Sequence, residues 1–168
     1  MSTAPGQSAP EQPAVILRPV LIPVTRVVVG VDGSAGSVAA LYWSAAAAVR
    51  WQAGLRIVSA WQAPAQDGPP PSGCSAQAAA RIVQKALARV LAREPYPPRI
   101  ACAALRGAPG QILLGQALDT GLLVLGTARA GADRAPGATG RYCLQHGSGP
   151  LVLVPANGAG WLRQSCRP

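Results

Sequence analysis

The chain is short of acid, histidine and lysine, the side chains that most active sites draw on. Only six residues are acidic, Lys85 is the sole lysine and His146 the sole histidine. No two carboxylates stand in a pattern suited to shared acid–base work, and no serine sits in a nucleophile elbow. The Walker phosphate-loop pattern, G-x-x-x-x-G-K-[ST], does not occur. Cys74, Cys102, Cys143 and Cys166 include no C-x-x-C pair, and Cys143 with His146 is too small a cluster for zinc. A catalytic role and a metal requirement are therefore unsupported, and reduced, incidental thiols are expected. Residues 1–12 lack the basic and apolar regions of a secretory signal. The apolar stretch 14–24 is interrupted by Pro19 and Pro23 and is too short to span a bilayer. A soluble, cytoplasmic protein with no membrane partner is expected.

What the chain does contain is enough apolar material for a core. Hydrophobic residues make up 49% of its 168 residues, which excludes a wholly disordered or fibrous protein. Its 19 glycines and 17 prolines are too many to sit within helices and strands, so part of the length belongs to loops and tails. Fifteen basic residues against six acidic ones give a net charge of +9, a balance that favours anionic partners in general. All the basic residues except Lys85 are arginines, scattered without a run. GC-rich coding produces the same composition, so nucleic-acid binding is not expected from it.

The order of patterns along the chain sets the fold class. Residues 1–23 carry five prolines and read as a disordered or extended tail. Residues 26–31 (RVVVGV) are a β-branched run suited to a strand buried on both faces. After Asp32-Gly33-Ser34, the recurrence of Val38, Leu41, Tyr42, Ala45 and Val49 predicts an amphipathic helix, capped by Ser34 or Ser37 and ended by Gly54. Residues 55–61 form a second strand. A helix follows over 77–93, with Ala79, Ile82, Val83, Ala86, Leu87, Val90 and Leu91 inward. Residues 100–105 are a third strand, and Pro109 suits the first turn of the next helix. Residues 122–125 are a fourth strand, 126–140 a glycine-bearing loop, 139–146 a short helix, 151–154 a fifth strand and 156–168 a tail. Apolar strands alternating with helices specify a doubly wound α/β fold: a five-stranded parallel sheet with helices on both faces. Its domain is expected over 24–155.

In such folds ligands bind beyond the carboxyl ends of the strands, where the strand order reverses. Asp32 ends the first strand, where a carboxylate either caps the following helix or accepts hydrogen bonds from a ribose hydroxyl or base amine. The loop 126–140 carries Gly126, Gly131, Gly137 and Gly140 with Arg129, Arg134 and Arg141. It is either an ordinary flexible loop or a phosphate cradle of backbone N–H groups backed by a helix amino terminus. Trp61 is the aromatic residue best placed to border a pocket.

Taken in order, RVVVGVDGS (26–34), RIVSAW (56–61), RGAPGQILLGQA (106–117), LLVLGTARAGA (122–132) and GPLVLVP (149–155) resemble the universal stress protein family. The resemblance implies a sheet of the kind shared with adenine nucleotide alpha hydrolases, and a homodimer formed through the last strand, here Leu151, Val152, Leu153 and Val154. It also implies an ATP or AMP site needing no metal, with Asp32, Gly30 and Val31 at the first strand and Ala60 lining the adenine pocket. The family's phosphate loop, G-x-x-G-x9-G-[ST], is only partly matched. Gly126 and Gly137 fall on its first and last glycines, Arg129 replaces the second, Ala138 stands where a hydroxyl residue belongs, and the loop is shorter. Arg129 and Gly131 are counted among the phosphate contacts. The function implied is a non-catalytic stress-response protein holding an adenine nucleotide weakly. The alternative is a nucleotide-free dimerising scaffold.

Overall fold

A computed structural model describes residues 24–63, 75–118, 121–127 and 136–156, together with the backbone of 161–163. The elements run β1 (Arg26–Gly30), α1 (Ala35–Arg50), β2 (Gly54–Trp61), α2 (Ala76–Arg93) and β3 (Ile100–Arg106). They continue with α3 (Pro109–Ala117), β4 (Gly121–Gly126), α4 (Ala138–His146), β5 (Leu151–Val154) and β6 (Trp161–Arg163). The sheet order is β3-β2-β1-β4-β5-β6. Strands β1 to β5 pair in parallel, as the alternating pattern predicts. The sheet is larger than expected by one strand. Strand β6 comes from the segment read as a tail and pairs antiparallel to β5, with Leu153 opposite Trp161. An apolar edge strand leaves a row of backbone groups unpaired, and an extended segment close behind it in sequence satisfies them. The stretch 1–23 lies outside the described residues. Among the described residues no helix is long and apolar enough to cross a membrane.

Strand periodicity sorts the core into two layers. Val27, Val29, Ile57, Val124 and Val152 face α1 and α2, while Val28, Val58, Leu123, Leu125 and Leu153 face the α3 and α4 side. Helix α1 corrects the expected inward stripe. Its buried residues are Gly36, Ser37, Ala40, Leu41, Ser44, Ala45, Ala47 and Ala48, whereas Val49 is 41% exposed. Small side chains let the helix lie close on the central strands, so bulk was a poor guide to which face is inside. Tyr42 instead stacks under the Arg93 guanidinium, 4.5 Å from its ring centroid. Leu91, also expected inward, is 53% exposed on α2.

The end of α1 departs from expectation too. Gly54 does not stop the helix; it begins β2, opposite Arg26. The helix closes two residues earlier around Gln52, whose φ of 54° is left-handed. Ala53 N–H donates to the Ala48 carbonyl at 2.9 Å and Gln52 N–H to the Val49 carbonyl at 3.2 Å. That is the Schellman pattern, with glutamine where glycine is usual.

Candidate functional site

The strand order reverses between β1 and β4, so the carboxyl ends of these two strands diverge and leave a crevice. A cavity of about 370 Å³ opens there. Its floor is Gly30, Val58 and Leu125 from the sheet with Leu113 from α3; one wall is Val31, Asp32, Ser34 and Ser37, and the other runs from Gly126 to Gly137–Gly140 at the start of α4. Ala60 and Pro109 complete the lining. Of the eight residues assigned to a nucleotide from the sequence, Gly30, Val31, Asp32, Ala60, Gly126 and Gly137 meet in this one cavity. Arg129 and Gly131 lie outside the described residues, as does Arg134.

The Asp32 wall is built by local chemistry. The Val31 N–H donates to the Val58 carbonyl at 2.8 Å, continuing the β1–β2 ladder to the strand's last turn. Gly33 then takes a φ of 85°, a value that disfavours a side chain. This turn aims the Asp32 carboxylate back at the start of α1, where Oδ1 accepts the Ser34 N–H at 2.9 Å. Ser34 is the N-cap of α1: its Oγ accepts the Ser37 N–H at 3.2 Å, and the Ser37 hydroxyl donates to the Ser34 carbonyl at 2.9 Å. Burial pushes the Asp32 carboxyl up, but hydrogen bonds from Ser34 and Ser37 outweigh it and hold the group below its ordinary 3.8. Asp32 is thus ionised at neutral pH and, being exposed, presents its carboxylate to the cavity mouth. Both readings of Asp32 hold together, since it braces the helix start and faces the crevice.

Two glycines of the cavity are demanded by packing beneath it. A Cβ on Gly30 would come within 2.8 Å of Leu125 Cδ2 and 2.9 Å of Leu113 Cδ1. A Cβ on Gly126 would collide with the backbone of Gly36, and one on Gly36 with the carbonyl of Thr127. The end of β4 and the first turn of α1 therefore meet backbone to backbone.

The opposite wall is the amino terminus of α4. Its N-cap is Gly137, with no side-chain capping bond. Among the described residues no side-chain cap meets the N–H groups of its first turn, and the helix dipole adds positive potential beside them. The missing hydroxyl at Ala138 has a neighbour that sequence matching overlooked: Thr139, half-buried, lines the same cavity. Ser34, Ser37 and Leu113 were also missed as lining residues. The two serines could have been found, because the cap of a helix after the first strand must border the switch-point crevice. Arg141 points elsewhere, with Nη1 3.4 Å from the Pro136 carbonyl. Trp61 does not line the cavity either; Arg106 covers its ring at 5.8 Å.

A second cavity, about 330 Å³, opens at the amino ends of β4 and β5 beside Cys143 and His146. Two of its polar side chains already have partners. The Cys143 thiol lies 3.8 Å from the Gly110 carbonyl and its pKa is pushed up to about 11 by burial, and His146 Nδ1 is 3.0 Å from the Tyr142 carbonyl. Among the described residues no group of His, Cys, Asp and Glu could hold a metal.

The model of the universal stress protein family matches residues 23–155. Three solved structures are similar in fold. The universal stress protein UspA from Lactobacillus plantarum is 22% identical, with 77% of this chain and 97% of that one covered and a TM-score of 0.57. A universal stress protein in complex with cAMP is 24% identical, covering 79% and 98%, with a TM-score of 0.61. A universal stress protein family member from Arabidopsis thaliana with AMP bound is 13% identical, covering 78% and 91%, with a TM-score of 0.55. At these identities the likeness concerns the fold. No curated protein matches the chain.

Proposed function

From the premise that the chain belongs to the universal stress protein family, we propose that it is a cytoplasmic, non-catalytic stress-response protein that reversibly holds an adenine nucleotide. One observation carries the reading: an ionised Asp32 faces the uncapped amino terminus of α4 across a single cavity at the switch point. The two walls suit the two ends of a nucleotide. Asp32 accepts hydrogen bonds from the ribose hydroxyls or the adenine amine, and Val31, Val58 and Ala60 offer the base an apolar surface. Gly137, the α4 N–H groups and the Thr139 hydroxyl meet the phosphate, since a helix amino terminus supplies both donors and field for an anion. Gly126 admits the phosphate to this corner, and Arg129 and Gly131 are assigned to it from the sequence alone. The cAMP and AMP in the names of the two similar structures support an adenine ligand.

No step of chemistry is assigned: the described lining pairs Asp32 with the hydroxyls of Ser34, Ser37 and Thr139 but with no histidine, lysine or second carboxylate to activate them. Binding is expected to be weak, since the one charged side chain of that lining is an anion. Isothermal calorimetry with ATP, ADP, AMP and cAMP, with and without magnesium, tests the reading. At least one should bind in the micromolar to millimolar range without metal, and Asp32→Ala should weaken it on the order of tenfold to a hundredfold. Absence of binding up to millimolar ligand would leave a scaffold without nucleotide. A homodimer through Leu151–Val154 belongs to either reading; in the single chain β6 stands on that edge.

A further inference from the structure

The second cavity opens at the opposite end of the sheet from the Asp32 crevice and shares no lining residue with it. Its walls are mainly apolar: Leu114 and Ala117 of α3, Leu123 and Leu151 of the sheet, and the Cys143 thiol of α4. No Asp, Glu, Lys or Arg belongs to the described lining. Leu118, which also lines it, is 61% exposed. A pit of this kind, with a large aliphatic side chain standing beside it in water, gains by being covered.

The chain itself carries a matching cover. Val24 is part of the cavity wall, and the residues just before it, 14–22, read AVILRPVLI, seven apolar side chains with one charge. Such a run is unfavourable in water. Pro19 and Pro23 lack the N–H that a helix or a sheet ladder needs, so the run offers side chains rather than backbone pairing. Val24 fixes its end at the cavity, and Ile22 and Leu21 lie two and three residues away, within about 7–11 Å along an extended chain. We propose that residues 20–22 fold back into this cavity, where Leu21 and Ile22 fill it and close the amino end of the sheet beneath α3 and α4. The tether decides the occupant. It presents the segment at an effective concentration on the order of millimolar, which a second copy or a free apolar molecule at micromolar concentration does not match. Arg18 lies upstream of residues 20–22, so no charge has to enter. The seat is independent of whether a nucleotide occupies the Asp32 crevice.

The test compares the full chain, the chain beginning at Pro23 behind a starting methionine, and the full chain carrying Leu21→Asp with Ile22→Asp. Circular dichroism checks folding, and amide hydrogen exchange is read by mass spectrometry on peptides covering 114–118 and 143–149. Exchange there should be about tenfold or more faster in both altered chains than in the full one, with β1 and β2 unchanged and no dependence on protein concentration. Leu118→Asp adds a second readout. It should lower the urea midpoint of the full chain but not of the shortened one, because only a covered Leu118 loses contacts. Five results overturn the proposal. Equal exchange in full and shortened chains is one, and an equal effect of Leu118→Asp in both is another. Protection that grows with protein concentration would make a second copy the occupant, and an apolar molecule retained in native mass spectra of the full chain would make that molecule the occupant. Unfolding of both the shortened chain and the Leu21→Asp, Ile22→Asp chain would make the segment an integral layer of the core.

Discussion

Asp32 is held and exposed at once, and this sets how pH acts on it. Its folded-state pKa lies below the ordinary 3.8 through hydrogen bonds from Ser34 and Ser37. Its contribution to stability is therefore present above the unfolded value and is lost as pH falls through the lower folded one. Asp32→Asn should be destabilising at neutral pH, and the difference from the parent should shrink as the medium is made strongly acidic; urea titrations across that range check it. Nucleotide affinity should not change through Asp32 between neutral and mildly acidic pH. Gly126 tells a different story. The phosphate-loop match explains it by room for a ligand, yet its contact with the Gly36 backbone requires glycine even with the cavity empty. Gly126→Ala should cost about 1–3 kcal/mol in urea unfolding or prevent folding. Gly149→Ala, where nothing lies within 4 Å, should stay within roughly 0.5 kcal/mol of the parent.

At the level of elements, helix α1 shows where pattern reading succeeds and where it slips. Its start was legible, because Ser34 follows a strand and precedes a helical run, and Ser34 is the cap. Leu41 and Ala45 are inside as expected, but Tyr42 and Val49 were misplaced because the sequence reading followed the larger apolar side chains. The sheet instead selects the stripe Ala40, Ser44, Ala48, whose small size permits close approach; the Ser44 hydroxyl donates to the Ala40 carbonyl at 2.7 Å and so is buried without loss. Its end was misplaced because Gly54 was the nearest residue that accepts a left-handed backbone at no cost. Gln52 takes that conformation instead, at a cost of roughly 1–2 kcal/mol for an L-residue. Gln52→Gly should raise the unfolding free energy by up to about 1 kcal/mol, after the added entropy of the unfolded chain, as read by thermal or urea unfolding. Helix α4 starts without a side-chain cap, and this follows from having Gly137 rather than serine or aspartate at its N-cap.

Across the whole molecule, the sheet divides two layers of unequal character. The α1 and α2 layer is built from valine, isoleucine, alanine and leucine, whereas the α3 and α4 layer includes the Cys143 thiol. With its pKa pushed up to about 11, that thiol is protonated at neutral pH, and only the thiolate reacts readily. Cys143 should resist alkylation in the folded protein and react once urea opens the α3–α4 layer, while exposed Cys102 is modified first of the two; peptide mapping by mass spectrometry distinguishes them. The sequence by itself determined the parallel α/β order, the place of Asp32 and the family resemblance, because alternating apolar runs and caps are local signals. It could not determine why Gly126 and Gly36 must both be glycine, that Thr139 lines the same cavity as Ala138, or that a strand from the tail covers β5. Each of these depends on backbones far apart in the chain coming within contact distance, and only the tertiary fold sets that distance.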